Sequence, residues 1–315
     1  MKTDLVTLAG VSKHYGAQHA IDGLDLQLRE GECVALAGHN GAGKSTLIKL
    51  VLGLIRPTHG RVTLFGEDAH SRAAARLRDR IGYLPETVAL HPSLTGVETL
   101  AFYARLKRRS LSGNPALLEK VGIAGAAHRR VGGYSKGMRQ RLALAQALLG
   151  EPRVLLFDEA TTGLDPASRL MFYEIVHELR AAGATILLST HALSELAGHA
   201  DRIVVMKAGR KIADGAMSAL RRDTGLPIRI RLTLAEPQSG TLLARPWRRL
   251  DACRYELACQ ERDKVEAIRG SLWMTAQDWK RSWAPWLRGT LFGFPIGALP
   301  AGGAEMRAEQ LAELK

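Results

Sequence analysis

Residues 38–45 read Gly38-His39-Asn40-Gly41-Ala42-Gly43-Lys44-Ser45, which matches the spacing G-x-x-x-x-G-K-[ST]. No other stretch restricts the fold as tightly. An apolar run, Cys33–Ala37, precedes it, and a stretch predicted helical, residues 46–54, follows it. A strand that turns through glycines into a helix leaves backbone N–H groups converging on one concavity. The helix N-terminus adds partial positive charge there. That geometry suits phosphate. Lys44 supplies a full charge to the β- and γ-phosphates of a nucleotide, and the Ser45 hydroxyl is placed for Mg²⁺. The whole loop from Gly38 to Thr46 is expected to hold ATP, with the His39 ring facing solvent. Read alone, it says only that a nucleoside triphosphate binds.

The rest of the chain alternates strand and helix around this loop. Apolar runs at residues 5–8, 24–28, 81–84, 154–157 and 185–188 read as strands, several apolar throughout, as parallel strands buried on both faces are. A hairpin-like piece covers residues 60–66, and residues 71–80 and 166–182 read as helices. Residues 202–206 and 211–213 form a hairpin around Ala208-Gly209. From about 95 to 150 the pattern turns wholly helical, with helices over 97–107, 115–121 and 136–149. The fold class is therefore α/β with an inserted helical block.

Composition narrows the function. The 315 residues are 46% hydrophobic and 24% charged, ordinary values for a chain with a sizeable core. No unbroken apolar run reaches the roughly 18 residues of a membrane-spanning helix. Residues 1–8 lack an apolar signal core, so secretion is not expected. The net charge of +13 is spread along the chain rather than gathered in one stripe. It reads as proximity to a membrane surface, with no nucleic-acid partner expected. Cys33, Cys253 and Cys259 are too few for a disulfide framework and fit a reducing compartment. By ligand count along the sequence, nothing binds copper.

A second element carries chemistry. The strand at 154–157 ends in Asp158-Glu159. Asp158 can hold Mg²⁺ through water, and Glu159 can orient or deprotonate an attacking water.

Tyr134-Ser135-Lys136-Gly137-Met138-Arg139-Gln140-Arg141-Leu142 resembles the signature motif of ATP-binding-cassette (ABC) proteins and, as in that family, lies ahead of the paired carboxylates. Gly163-Leu164-Asp165 resembles the family's D-loop, and His191 its switch histidine. Tyr15 sits where the family's adenine-stacking aromatic sits, a strand-end surface tyrosine being the alternative. The resemblance covers residues 4–225. It implies a P-loop NTPase cassette: a RecA-like core, an antiparallel β subdomain and a helical subdomain at about 95–150. It also implies ATP hydrolysis with Mg²⁺ by a head-to-tail homodimer. Each ATP would lie between the loop of one copy and Ser135 and Gly137 of the other, with Glu159 and His191 as the catalytic pair. A separate multi-spanning permease is the implied partner, with the chain peripheral on the cytoplasmic face of the cell membrane.

Some residues depart from the family pattern. Glu86 replaces a glutamine expected after strand 81–84, where it would join Ser45 and Asp158 around Mg²⁺ and alter the Mg²⁺ dependence. Ala160 replaces a common proline, and Lys136 a glycine of the signature. The wording of these motifs, with Gly225-Leu226-Pro227-Ile228-Arg229-Ile230-Arg231, resembles the ATP-binding subunits of transporters for copper-site maturation of nitrous oxide reductase. That likeness adds a periplasmic partner protein. The alternatives are the ATPase of a drug or polysaccharide exporter, or a soluble cassette ATPase without a permease.

Three segments are expected: the cassette at 1–225, a small and incomplete C-terminal α/β domain at 226–270, and an atypical tail at 271–315. Four of the five tryptophans lie after residue 270. Residues 271–305 resemble a fragment of the permease of tripartite tricarboxylate transporters. Joined foreign coding sequence and a divergent C-terminal domain both account for that.

Overall fold

The structure is a computed structural model that describes residues 3–191, 198–224, 228–233, 248–250 and 254–259. The chain divides into two units, Met1–Leu220 and Arg221–Lys315.

The first unit holds two sheets. In the first, β1 (Asp4–Tyr15) and β2 (Gln18–Arg29) form a long antiparallel hairpin. The other two strands, β4 (His59–Leu64) and β5 (Glu67–Asp68), complete the order β2-β1-β4-β5. In β2 every second residue from Leu24 to Leu28 is buried and those between are exposed, the alternation of a sheet with one wet face. The second sheet has the order β10-β9-β3-β8-β7-β6. Its strands are β3 (Cys33–Ala37), β6 (Ile81–Leu84), β7 (Val154–Asp158), β8 (Thr185–Thr190), β9 (Arg202–Lys207) and β10 (Arg210–Gly215). All of its pairings are parallel except the β9–β10 hairpin.

The period of two along each strand divides the core. Val34, Leu36, Val154, Leu156, Leu187 and Val204 join Leu47, Ile48 and Leu50 of α1 (Lys44–Val51) and the inner residues of the antiparallel sheet. Cys33, Ala35, Ala37, Leu155, Phe157, Ile186 and Leu188 face the other way. They pack with α3 (Gly96–Leu106), α4 (Asn114–Lys120), α5 (Lys136–Leu148) and α6 (Pro166–Ala181). A short α2 (Arg72–Leu77) bridges β5 and β6. The protein is thus a P-loop NTPase α/β cassette with an antiparallel β subdomain and an inserted helical subdomain. A further helix, α7 (Met217–Thr224), follows β10. In the second unit β11 (Ile228–Thr233), β12 (Arg248–Arg249) and β13 (Arg254–Cys259) form an antiparallel sheet in the order β11-β13-β12.

Several boundaries move from the sequence reading. The strand expected at 5–8 runs on to Tyr15, because a register shift near Gly10, at φ 56°, lets pairing with β2 resume at Val11. Helix α1 starts at Lys44 rather than Thr46 and stops at Val51, with Gly53 at φ 65°. The helix expected over 71–80 is α2 followed by a 3₁₀ turn, Arg78–Arg80. The tail beyond 270 lies outside the described residues. Among the described residues no helix is long and apolar enough to cross a membrane.

Candidate functional site

The C-terminal ends of β3, β7 and β8 lie side by side, since Ala37 pairs with Thr190 and Asp158 with Ser189. Ligands of open parallel sheets bind outside such ends. The turn after β3 is Gly38–Gly43. A Cβ on Gly38 would lie 2.5 Å from the Met206 carbonyl oxygen, and one on Gly43 would lie 2.5 Å from that of Ala20. Gly43 also has φ 104°, which side chains resist, so glycine is required at both places. A Cβ on Gly41, by contrast, would meet open space. The loop is packed from behind and open in front.

Into this turn α1 presents Lys44 and Ser45. The Lys44 ammonium is buried and donates to the carbonyl oxygens of Gly38 at 2.6 Å and His39 at 3.2 Å. It also pairs with Glu159 Oε1 at 3.1 Å. The Ser45 hydroxyl donates to Asp158 Oδ1 at 3.2 Å. A hydroxyl and a carboxylate, both hard oxygen donors, beside an ammonium and a glycine turn fit a magnesium–nucleotide pair. His39 sits on the loop with Nδ1 2.6 Å from the Asn40 carbonyl oxygen.

Glu159 follows β7 at φ 49°, a left-handed backbone that is uncommon outside glycine. Its N–H donates to Ser189 Oγ at 2.9 Å, and Ser189 in turn donates to Asp158 Oδ1 at 2.7 Å. The Glu159 Oε2 accepts from Thr162 Oγ1 at 3.2 Å and lies 2.6 Å from His191 Nδ1. Burial pushes this carboxyl up, but hydrogen bonds and charge from His191 and Lys44 outweigh it and hold its pKa below the ordinary value. The arrangement therefore keeps an ionised carboxylate, nearly enclosed, between a lysine and a half-exposed histidine.

Lys44, Ser45, Asp158, Glu159 and His191 thus come together. Ser189, which no motif singled out, joins the two carboxylates. Its signal was a hydroxyl that follows the apolar run 186–188, one of three hydroxyls on β8 with Thr185 and Thr190.

The remaining predicted residues stand elsewhere. Tyr15 ends β1, 49% exposed, with the Lys13 ammonium 5.1 Å from its ring centre. Glu86 is exposed after β6, and its charge and that of Asp158 add to the burial that pushes the Tyr83 phenol up to about 12. Ser135 caps α5, its Oγ accepting from the Met138 N–H at 3.2 Å. A Cβ on Gly137 would meet Ser168 and Asp165 at ordinary contact distance. Buried Gln140 donates to the Ala160 carbonyl oxygen at 3.2 Å, and Arg141 donates to Ser168 Oγ at 2.7 Å. The signature helix is thereby tied to the turn that follows Glu159.

Known proteins share this fold. The ABC transporter family profile matches residues 21–162. The chain is 40% identical to the Nod factor export ATP-binding protein I of Rhizobium johnstonii, over 85% of this chain and 87% of that protein. It is also 40% identical to the daunorubicin resistance ATP-binding protein DrrA3 of Streptomyces coeruleorubidus, over 86% and 87%. A solved ATP-binding subunit of an ABC transporter superposes with a TM-score of 0.65 at 34% identity, covering 70% of this chain and 93% of that one. A bacterial Atm1-family ABC exporter with ATP bound gives 0.65 at 28% identity, covering 72% and 41%. The tripartite tricarboxylate transporter TctA family profile matches residues 250–312, most of which lie outside the described residues. With a phosphate loop, paired carboxylates and signature helix in one cassette, and relatives matched over most of both chains, the protein belongs to the ATP-binding subunits of ABC transporters, the ATPases of that family.

Proposed function

We propose that this chain is the ATPase of an ABC exporter, driving a separate membrane permease from the cytoplasmic face. The supporting observation is the reach of the relatives named for Nod factor export and daunorubicin resistance. They match 85% and 86% of the chain, more than the cassette at 1–225 contains. Neither is named for copper or nitrous oxide reductase, so export moves ahead of copper-site maturation.

The roles in this reading are supported in part by the site. Lys44 and the N–H groups of residues 38–46 bind the phosphates of ATP, and Tyr15 stacks on the adenine. Ser45 and Asp158 hold Mg²⁺, with Glu86 offering a further oxygen. Bound there, Mg²⁺ neutralises charge on the phosphates. Glu159, ionised, takes the proton of the attacking water, and His191 positions Glu159 through the 2.6 Å contact. Ser135 and Gly137 complete the site of a second copy, so that ATP closes the dimer and hydrolysis releases it.

The test is extraction of native membranes with detergent and capture of the full chain. A multi-spanning permease that co-purifies and stimulates ATP hydrolysis is the expected result. A chain found only in the soluble fraction, with ribosomal RNA, overturns the transport reading.

A further inference from the structure

The β1–β2 hairpin brings together three groups that no sequence motif links. His14 and His19 are directly opposed across the antiparallel pair, and opposed residues project from the same face. Their imidazoles stack with centroids 3.9 Å apart and planes 28° from parallel. Asp22 lies three residues beyond His19 on β2. The register shift between Lys13 and His14 bends the tip of the hairpin. One ligand atom from each of His14, His19 and Asp22 lies within 4.8 Å of the other two.

A second observation marks the cluster. His14 Nε2 is closed off from solvent and has no hydrogen-bond partner among the described residues. A buried polar atom left unpaired costs free energy, and bound ions are one recurrent remedy. The ring of His59 on β4 stands edge-on to that of His14, with centroids 6.0 Å apart. Both contacts that Arg210 makes with Asp22, at 2.7 and 2.9 Å, fall on Oδ2. Arg210 therefore anchors the carboxylate without taking Oδ1.

We infer that the tip of this hairpin is a binding site for a divalent transition-metal ion, with Zn²⁺ the best fit, held by His14, His19 and Asp22. Two imidazoles and one carboxylate select ions such as Zn²⁺, Ni²⁺ and Cu²⁺ over Mg²⁺. Metal–ligand bonds of about 2.0–2.2 Å put the ligand atoms of a tetrahedral site roughly 3.3–3.6 Å apart, so the three side chains would draw closer around the ion. Three protein ligands leave a coordination position for water. The site belongs to the antiparallel sheet, not to the strand ends that carry Lys44 and Asp158. It is independent of the export reading.

The experiment uses the untagged full-length chain, stripped of metal and saturated with MgATP so that the phosphate loop is occupied. Zn²⁺ is titrated by calorimetry, and Co²⁺ by its visible absorption. One ion per chain is expected, with micromolar affinity, and Zn²⁺ raises the thermal midpoint. His14→Ala and His19→Ala each weaken binding at least tenfold, and the Zn²⁺-dependent rise in midpoint disappears in both. Losing even an outer partner of a metal site costs about 10–100-fold. ATPase activity of the metal-free variants serves as the check that they fold. Absence of Zn²⁺ binding, or affinity unchanged in the His14→Ala, His19→Ala double variant, overturns the inference.

Discussion

Lys44 Nζ lies 3.1 Å from Glu159 Oε1, and the two side chains are 5% and 8% exposed. The cation proposed to bind phosphate and the carboxylate proposed to activate water are thus paired with each other. Bound phosphate would compete with Glu159 for that ammonium. Glu159→Gln is expected to bind ATP at least as tightly as the natural chain while kcat falls about 10²–10⁴-fold, the usual contribution of a positioned base. Equilibrium nucleotide binding and phosphate release measure the two effects separately.

The Glu159 carboxyl sits below its ordinary pKa because contacts with His191 and Lys44 outweigh burial. The sign of the pH effect follows. The charged form is favoured in the fold, so its contribution is present above the unfolded carboxylate pKa and is lost as pH falls through the depressed folded value. His191→Ala removes one of the lowering contacts and leaves burial. The acid limb of kcat/KM is expected to move to higher pH, and a pH–rate profile on both proteins checks it.

Ser189 accepts from the Glu159 N–H and donates to Asp158. Ser189→Ala leaves that buried N–H without its partner, at a cost of about 1–3 kcal/mol. Urea unfolding should show the loss, and kcat should fall with it. Unchanged stability would mean that the relay is not holding the turn.

These cases show what was legible in the sequence. Lys44, Ser45, Asp158 and Glu159 were readable because close phosphate approach demands glycines at fixed intervals, and because two carboxylates end a strand otherwise wholly apolar. The central strands were readable because burial on both faces removes polar residues from them. Ser189 was not, since nothing local sets it apart from Thr185 and Thr190, the other hydroxyls of β8. Nor was the His14–His19–Asp22 cluster, whose ligands meet through strand register set by a bulge. The count of ligands along the sequence missed it for that reason. Strand β1 was read short because Gly10 looks like a break, whereas the sheet passes through it.

The proposed sharing of each site between two copies predicts complementation. Lys44→Ala and Ser135→Arg are each expected to abolish ATP hydrolysis. Mixed in equal amounts, they should recover activity, with up to about one quarter of sites intact under random pairing. No recovery would sink the composite site.

Cys33 is buried on β3, its thiol donating to the His199 carbonyl oxygen at 3.3 Å. Burial first, then the charge of Asp201, pushes its pKa up to about 12. In a chain whose other cysteines, Cys253 and Cys259, are replaced by serine, Cys33 should resist alkylation at pH 8 until the protein is unfolded. Mass spectrometry of native and denatured samples gives the answer.

Glu159 stands in left-handed backbone, at φ 49°. Such a conformation costs a side-chain-bearing residue about 1–3 kcal/mol, and glycine little or nothing. At this one position, then, the most comfortable residue and the most useful residue are different. Glu159→Gly would relax the turn and silence the enzyme, so a screen for thermal robustness alone would steer the cassette away from hydrolysis.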